Sequence, residues 1–500
     1  MKRLLVLLLC LMMLISAVAC ASAPTVGTES TSESRGGSET VVETEEKDEY
    51  QHDLPKELKF EGTSVRLFTH DGYRCNIFAD ETDDLTDSVT EAVYNRILNV
   101  EDRLGVEFEV VNMAGWDVSN NVLHESLYAN SDDYDMIVGY AATNIALAGE
   151  SLMVDLSTVN HIDLTKPYWD QNFVRDLSYQ DKTFWLTGDV LYNYLGNAYV
   201  NFVGKQMWDD WVAPNESRSI YEIVKANEWT YDALLRYSAM ATHDVNADSV
   251  MDQNDAYGYL CNPGHAADAF LFGFDGSYGE ITSDGEIEIV FDQPRVLDIY
   301  TKIYTILCNT PSVGGFYDDG ACAKIFAENR ALVFTMFLGT AFNSLFREMT
   351  PDDAYTVVPM PLADDSQKEY TTVAFNGLPL IGVPVTVPTD RLDAMGATLE
   401  MLAYEGHKTV YPVYYETALK TKLSRNDESA EMMDLIKANI KTDFVYLWSQ
   451  HFGNPPISEL LKIGINGKRP DLTSLLAAQL PGYRTALENL LEQYCSDAAV

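Results

Sequence analysis

From Phe60 onward the chain alternates short apolar runs of strand character with longer stretches of helical periodicity, and that alternation limits the folds open to it. Residues 64–69 (SVRLFT) read as a buried strand. In residues 88–104 the apolar positions Val89, Ala92, Val93, Ile97, Val100 and Leu104 recur at helix spacing. Residues 106–111 (VEFEVV) alternate as a strand, and residues 135–139 (DMIVG) form a short β-rich run ending in glycine. Strands separated by helices build βαβ units, so an α/β fold with a parallel sheet is predicted. The pattern continues with a strand-like run at 197–203 (NAYVNFV) and helical turns over 220–242, interrupted at Trp229 and Thr230. Helices are predicted over 294–307 and 319–329, followed by an apolar strand at 331–337 (ALVFTMF). Strands at 355–359 and 380–387 are each stopped by proline, and helices follow over 392–404, 429–441 and 474–494.

Ahead of this body lie two segments of another kind. Lys2 and Arg3, an apolar run over residues 4–15 and the small residues Ala17, Val18 and Ala19 have the plan of a secretory signal. The apolar run is too short to cross a bilayer. Ala17-Val18-Ala19-Cys20 resembles a bacterial lipobox, which implies cleavage before Cys20 and lipidation of its thiol. The plainer alternative is an ordinary signal peptide that ends near a cysteine. Residues 1–19 are thus read as signal, and residues 20–56 as the lipidated cysteine and a disordered linker. That linker is rich in Ser, Thr, Glu and Gly and buries too little apolar surface to fold. Its acidic run at 41–49 extends it by self-repulsion. The expected location is extracytoplasmic, lipid-anchored to the cell membrane, with no membrane contact beyond the anchor.

The 500 residues, less leader and linker, suffice for two sizeable cores. Against 76 acidic residues stand 34 basic ones, a net charge of -42. Such a chain repels nucleic acid and anionic lipid, so neither is expected as a partner. An acidic bias of the source accounts for the charge as well as any function does. Beyond Cys10 and Cys20, the cysteines Cys75, Cys261, Cys308, Cys322 and Cys495 are scattered without a CxxC pair, which argues against structural zinc. Cys308 and Cys322 are close enough in sequence for a disulfide or for two buried thiols.

Several segments in order carry a family likeness: residues 86–96 (TDSVTEAVYNR), 134–137 (YDMI), 163–170 (DLTKPYWD), 228–232 (EWTYD) running into 244–258, 326–334 (FAENRALVF), 357–361 (VVPMP) and 414–420 (YYETALK). Together they resemble the bacterial extracellular solute-binding proteins of ABC import systems, in the branch that handles sugars. The resemblance implies a periplasmic-binding-protein-like fold of two α/β lobes with a hinge and an interlobe cleft. Lobe 1 is placed at 57–189 and 355–404, and lobe 2 at 190–354 and 405–500. It also implies a solute held in the cleft, closure about the hinge and docking on a permease.

A sugar offers apolar CH faces and hydroxyl edges, so its site needs aromatic plates with amides and carboxylates around them. The chain has 29 Tyr, 20 Phe and 7 Trp, most of which must be packing. In open α/β sheets ligands lie beyond the carboxyl ends of strands. His70 follows the first strand, Tyr140 and Asn144 follow the strand ending at Gly139, and Phe337 ends the 331–337 strand. Asp189 lies near the expected crossover, Asn376 on the return, and Trp169–Asp170 and Phe274–Asp275 are aromatic–acid pairs in loops. These give the candidate ligand set His70, Tyr140, Asn144, Trp169, Asp170, Asp189, Asp275, Phe337 and Asn376. Core packing competes for each aromatic, Trp229 is assigned to the core, and His70 is either a loop hydrogen-bonder or a ligand contact.

Asp244, Asn246, Asp248, Asp252 and Asp255 fall at positions one, three, five, nine and twelve of a loop. This is the oxygen-ligand spacing of an EF-hand-like calcium site. Ser249 stands where the turn glycine belongs, and Asp255 reaches less far than a glutamate. A structural Ca2+ and a solvated Asx-turn loop both satisfy the pattern; no other cofactor is required. No nucleophile elbow, zinc-protease, P-loop or dinucleotide motif occurs, and nothing singles out a carboxylate pair for glycoside hydrolysis. The expected function is non-enzymatic capture of a carbohydrate, an oligosaccharide, for an ABC importer, with the sugar and the permease's transmembrane subunits as partners. A surface glycosidase and a glycan-sensing or adhesion protein of the same fold are the alternatives.

Overall fold

The computed structural model describes residues 51–342, 344–349, 354–415 and 427–495. The leader, Cys20 and nearly all of the linker lie outside them. Residues Asp48–Val500 form one compact unit, to which everything below refers.

The predicted helix forms at Ser88–Leu104. Asp87 caps it by accepting the Thr90 N–H at 3.0 Å, and Gly105, at φ 71°, ends it. Its buried face is the predicted apolar stripe plus Arg96. The left-handed turn at Gly105 sends the chain directly into strand Val106–Met113, which pairs in parallel with Thr63–His70 from Thr63↔Val106 to His70↔Met113. Met136–Tyr140 lies parallel on the other side of Thr63–His70, and Pro379–Gly382 closes this first sheet antiparallel to Met136–Tyr140.

The second sheet has five strands in the order Tyr355–Val358, Tyr199–Gly204, Ala331–Phe337, Tyr257–Cys261 and Val313–Gly315. Here the structure corrects the expected lobe boundaries. Tyr355–Val358 does not return to the first lobe but pairs antiparallel with Tyr199–Gly204 of the second. A short apolar run carries no record of its partner, and the residues after it stay in the second lobe. The Trp229 indole N–H donates to the Pro359 carbonyl at 3.0 Å, and the Leu362 N–H to the Trp229 carbonyl at 2.9 Å. The return to the first sheet begins only at Pro379. Residues just beyond Tyr404 also remain with the first lobe, where the turn Gly406–Val410 packs on helix Ser88–Leu104.

Two described segments carry the chain between the lobes. The first passage is Asp189–Asn197, and the second runs from Thr372–Val373, bridged at Ala374 to Ala198, into Pro379. Helix Asp427–Ala438 belongs to the second lobe, where Ser429 hydrogen-bonds to Tyr221 at 2.7 Å. Arg96 locks the first passage. Its buried guanidinium donates to the carbonyls of Val190 at 2.8 Å, Ile77 at 2.7 Å and Asn76 at 3.2 Å. The C-terminal helix Thr473–Cys495 belongs to both lobes. The Tyr494 hydroxyl donates to the Leu177 carbonyl at 3.1 Å, while Arg484 pairs with Asp292 at 2.9 Å.

Cys75, Cys261, Cys308, Cys322 and Cys495 are all free thiols, so Cys308 and Cys322 are not joined. Among the described residues no helix is long and apolar enough to cross a membrane.

Candidate functional site

The site grows out of the strand ends. Tyr140 ends a first-lobe strand, and Phe337 ends a second-lobe strand whose antiparallel partner sets Tyr199 beside it. Between them stands Phe375, on the second passage. Its ring centroid is 6.4 Å from Tyr140 and 4.9 Å from Phe337, and Tyr199 lies 5.1 Å from Phe337. Tyr140, Phe337 and Phe375 are each only half-buried. Rings from both sheets and from a hinge segment thus form one partly open aromatic wall.

Polar groups surround it. His265, near the start of helix Pro263–Gly273, sits 4.8 Å from Phe337; its Nδ1 is 3.1 Å from the Tyr199 hydroxyl and its Nε2 is 3.4 Å from Asp319. Asn262 also donates to Asp319, at 2.8 Å. On the first-lobe side, Tyr73 lies 6.5 Å from Tyr140 and 6.3 Å from His70, and its hydroxyl donates to the Gly377 carbonyl. Asn144 folds back over Gly139, where a Cβ would come within 2.0 Å of its amide nitrogen. The Asn376 carbonyl accepts the Ala142 N–H at 2.9 Å. Burial raises the Tyr140 phenol above its ordinary range, opposed by the Lys462 ammonium nearby, so the hydroxyl stays protonated and able to donate. Such a wall can stack the apolar face of a ring and hydrogen-bond its edges.

The structure therefore brings together His70, Tyr140, Asn144, Phe337 and Asn376. It does not bring the other four with them. Trp169 is 1% exposed and belongs to the first-lobe core, packed 5.8 Å from Tyr168, so the expectation of a sugar plate there is corrected. A loop position did not exclude burial, because the 163–170 segment folds inward. Asp170 caps helix Gln171–Leu177 by accepting the Phe173 N–H at 2.7 Å, and Asp189 lies 2.6 Å from His407 Nδ1. These three residues border a separate recess of about 360 Å3. Asp275 is paired with Arg295 at 2.7 Å and with Lys441, in a groove of the second lobe. Their charges are spent on capping and ion pairs.

Sequence reasoning missed Tyr73, Phe375, His265 and Lys462. Phe375 adjoins the predicted Asn376, and His265 follows the Asn262-Pro263 start of a helix, so both carried a local signal. Lys462 carried none, because its position depends on how helix Glu459–Asn466 packs on Pro263–Gly273.

In the acidic loop the carboxylates accept N–H groups of their own backbone. Asp244 accepts the N–H groups of Ala247 and Ser249 at 2.6 and 2.7 Å, Asp248 that of Val250 at 2.8 Å, and Asp255 those of Val245 and Asp252 at 2.9 and 2.8 Å. Asn246 and Asp252 cap the turns at Asp248 and Asn254. Among the described residues no group of three or more acidic, histidine or cysteine side chains is arranged to hold a metal ion. These bonds to the backbone make the Asx turns that are one of the two arrangements the spacing allows.

The chain matches no protein-family model and no curated protein sequence. Solved structures share its fold. UgpB from Mycobacterium tuberculosis, in complex with glycerophosphocholine, superposes with a TM-score of 0.55 at 12% identity, over 86% of this chain and 99% of that one. An ABC transporter solute-binding protein from Thermotoga lettingae, bound with α-D-tagatose, gives 0.51 at 13% identity, over 86% and 100%. The GacH receptor of Streptomyces glaucescens, solved unliganded and with acarbose, gives 0.52 at 12% identity, over 87% and 98%. The chain shares the two-lobed α/β fold of these solute-binding structures.

Proposed function

We propose that this chain is an extracytoplasmic solute-binding protein that captures a carbohydrate between its lobes and passes it, chemically unchanged, to an ABC permease. Lipidated Cys20 would hold it at the membrane. The observation that carries this reading is the wall of Tyr140, Phe375 and Phe337, drawn from the first sheet, a hinge segment and the second sheet. A solute seated on it touches both lobes and the joint between them. It therefore favours the closed state by contacts that an open state cannot make. Half-buried rings beside hydroxyl, imidazole and amide groups match the CH faces and hydroxyl edges of a sugar. Two of the structural relatives, one bound with α-D-tagatose and one with acarbose, support the same solute class.

Calorimetry of residues 48–500 against neutral oligosaccharides tests the reading. Saturable binding with every glycan recovered intact is the expected result. Absence of binding across the panel, or release of reducing sugar, would overturn it. The anchor is tested separately: the full chain should partition into detergent in a bacterial host, and Cys20→Ala should abolish that partition.

A further inference from the structure

We infer that the cleft is built for an uncharged glycan and rejects its carboxylate-bearing counterpart, because each cationic side chain identified beside the aromatic wall already faces a carboxylate of the protein. The inference rests on the carbohydrate reading above and narrows it. Two groups beside the wall could offer positive charge. Lys462, on helix Glu459–Asn466, reaches the start of helix Pro263–Gly273, where a Cβ at Gly264, next to His265, would lie 3.8 Å from its Cε, and its Nζ is 2.7 Å from Glu459. The buried Asp268, which accepts from the Tyr278 hydroxyl at 2.8 Å, acts on the same ammonium from beyond ion-pair distance. His265 is held between the Tyr199 hydroxyl and Asp319, so any charge it takes is matched on the spot. On the first-lobe side, His70 Nδ1 accepts the Gly72 N–H at 3.2 Å, and the adjacent Asp71 accepts from Asn112.

A uronate docked on the wall would meet no guanidinium among these residues. It could take Lys462 only by sharing it with Glu459, which stays beside it. Two like charges brought together with one shared cation are strongly disfavoured. A neutral hydroxyl asks for none of this: it can donate to a spare lone pair of Asp319 or Glu459 and leave both pairs intact. The net charge of -42 adds a long-range repulsion of the same sign, but salt screens that part, whereas the local pairs act at contact distance.

The experiment titrates residues 48–500 with malto-, cello- and manno-tetraose and with the C6-oxidised, uronate-containing form of each. The uronate form should bind at least about thirtyfold more weakly than its neutral parent. The difference should persist in about 0.5 M NaCl. In Glu459→Gln, where Lys462 loses one of its carboxylates, the ratio of the two affinities should narrow by about tenfold. Uronates that bind as well as their parents would overturn the inference and leave the carbohydrate reading standing. A discrimination that vanishes in high salt, or one unmoved by Glu459→Gln, would overturn the assignment to these pairs. Binding of neither form would overturn the inference together with the reading it rests on.

Discussion

The hydroxyl of Tyr168 donates to Oε1 of Glu400 inside the first lobe, and the Asp163 N–H donates to Oε2 of the same carboxyl at 3.2 Å. Burial outweighs both bonds and pushes the Glu400 carboxyl up to about 7 from an ordinary 4.5. An acid whose folded value is raised holds its proton more tightly in the native than in the unfolded chain. Its contribution is therefore most favourable below pH about 4.5, declines as pH rises towards 7 and is flat above. The loss is of order 3 kcal/mol at 1.36 kcal/mol per unit. Urea denaturation at pH 5 and pH 8 should show wild type losing more stability than Glu400→Gln across that interval. Equal losses would mean that Glu400 is not the source.

Two aromatic substitutions should separate recognition from packing. Phe375→Ala removes the ring joining the walls of the two lobes and should weaken glycan binding by about tenfold or more with little change in melting temperature. Trp169→Ala empties the first-lobe core and should cost about 3–5 kcal/mol of stability. Paired calorimetry and thermal melts on both variants check the assignment, which fails if the two effects are exchanged.

Arg96 should be irreplaceable by a hydrophobe of similar length. Arg96→Leu would leave the carbonyls of Val190, Ile77 and Asn76 buried without a donor. An unpaired buried acceptor costs about 1–3 kcal/mol, so a loss of about 3 kcal/mol or more is expected in chemical denaturation. A variant as stable as wild type would refute the locking role.

Calcium should have no effect on stability. Because the Asp244–Asp255 carboxylates are engaged by their own backbone, melting curves in millimolar Ca2+ and in EDTA should agree within about 1 °C; a ligand bound well above its Kd would separate them. A larger upward shift with Ca2+ would show that the loop reopens around the ion.

Much of the fold was legible because periodicity is local. The stripe of Val89, Ala92, Val93, Ile97, Val100 and Leu104 is the buried face of its helix, and Gly105 stops that helix by a conformation few other residues adopt. What a strand pairs with is not local, which is why Tyr355–Val358 was placed in the wrong lobe. The site divided along the same line. Tyr140, Phe337 and Asn376 fall at strand ends and a return, which can be read from the sequence. Trp169 was misjudged because the inward fold of its loop depends on residues far along the chain, such as Glu400 against Tyr168. Lys462 was invisible until helix packing delivered it to the cleft.

Two described stretches of polypeptide join the lobes, and the last long helix is fastened to both. A protease that severs either stretch would leave the halves still held by the other and by that helix, so a nicked molecule should keep its grip on a solute and travel as a single particle.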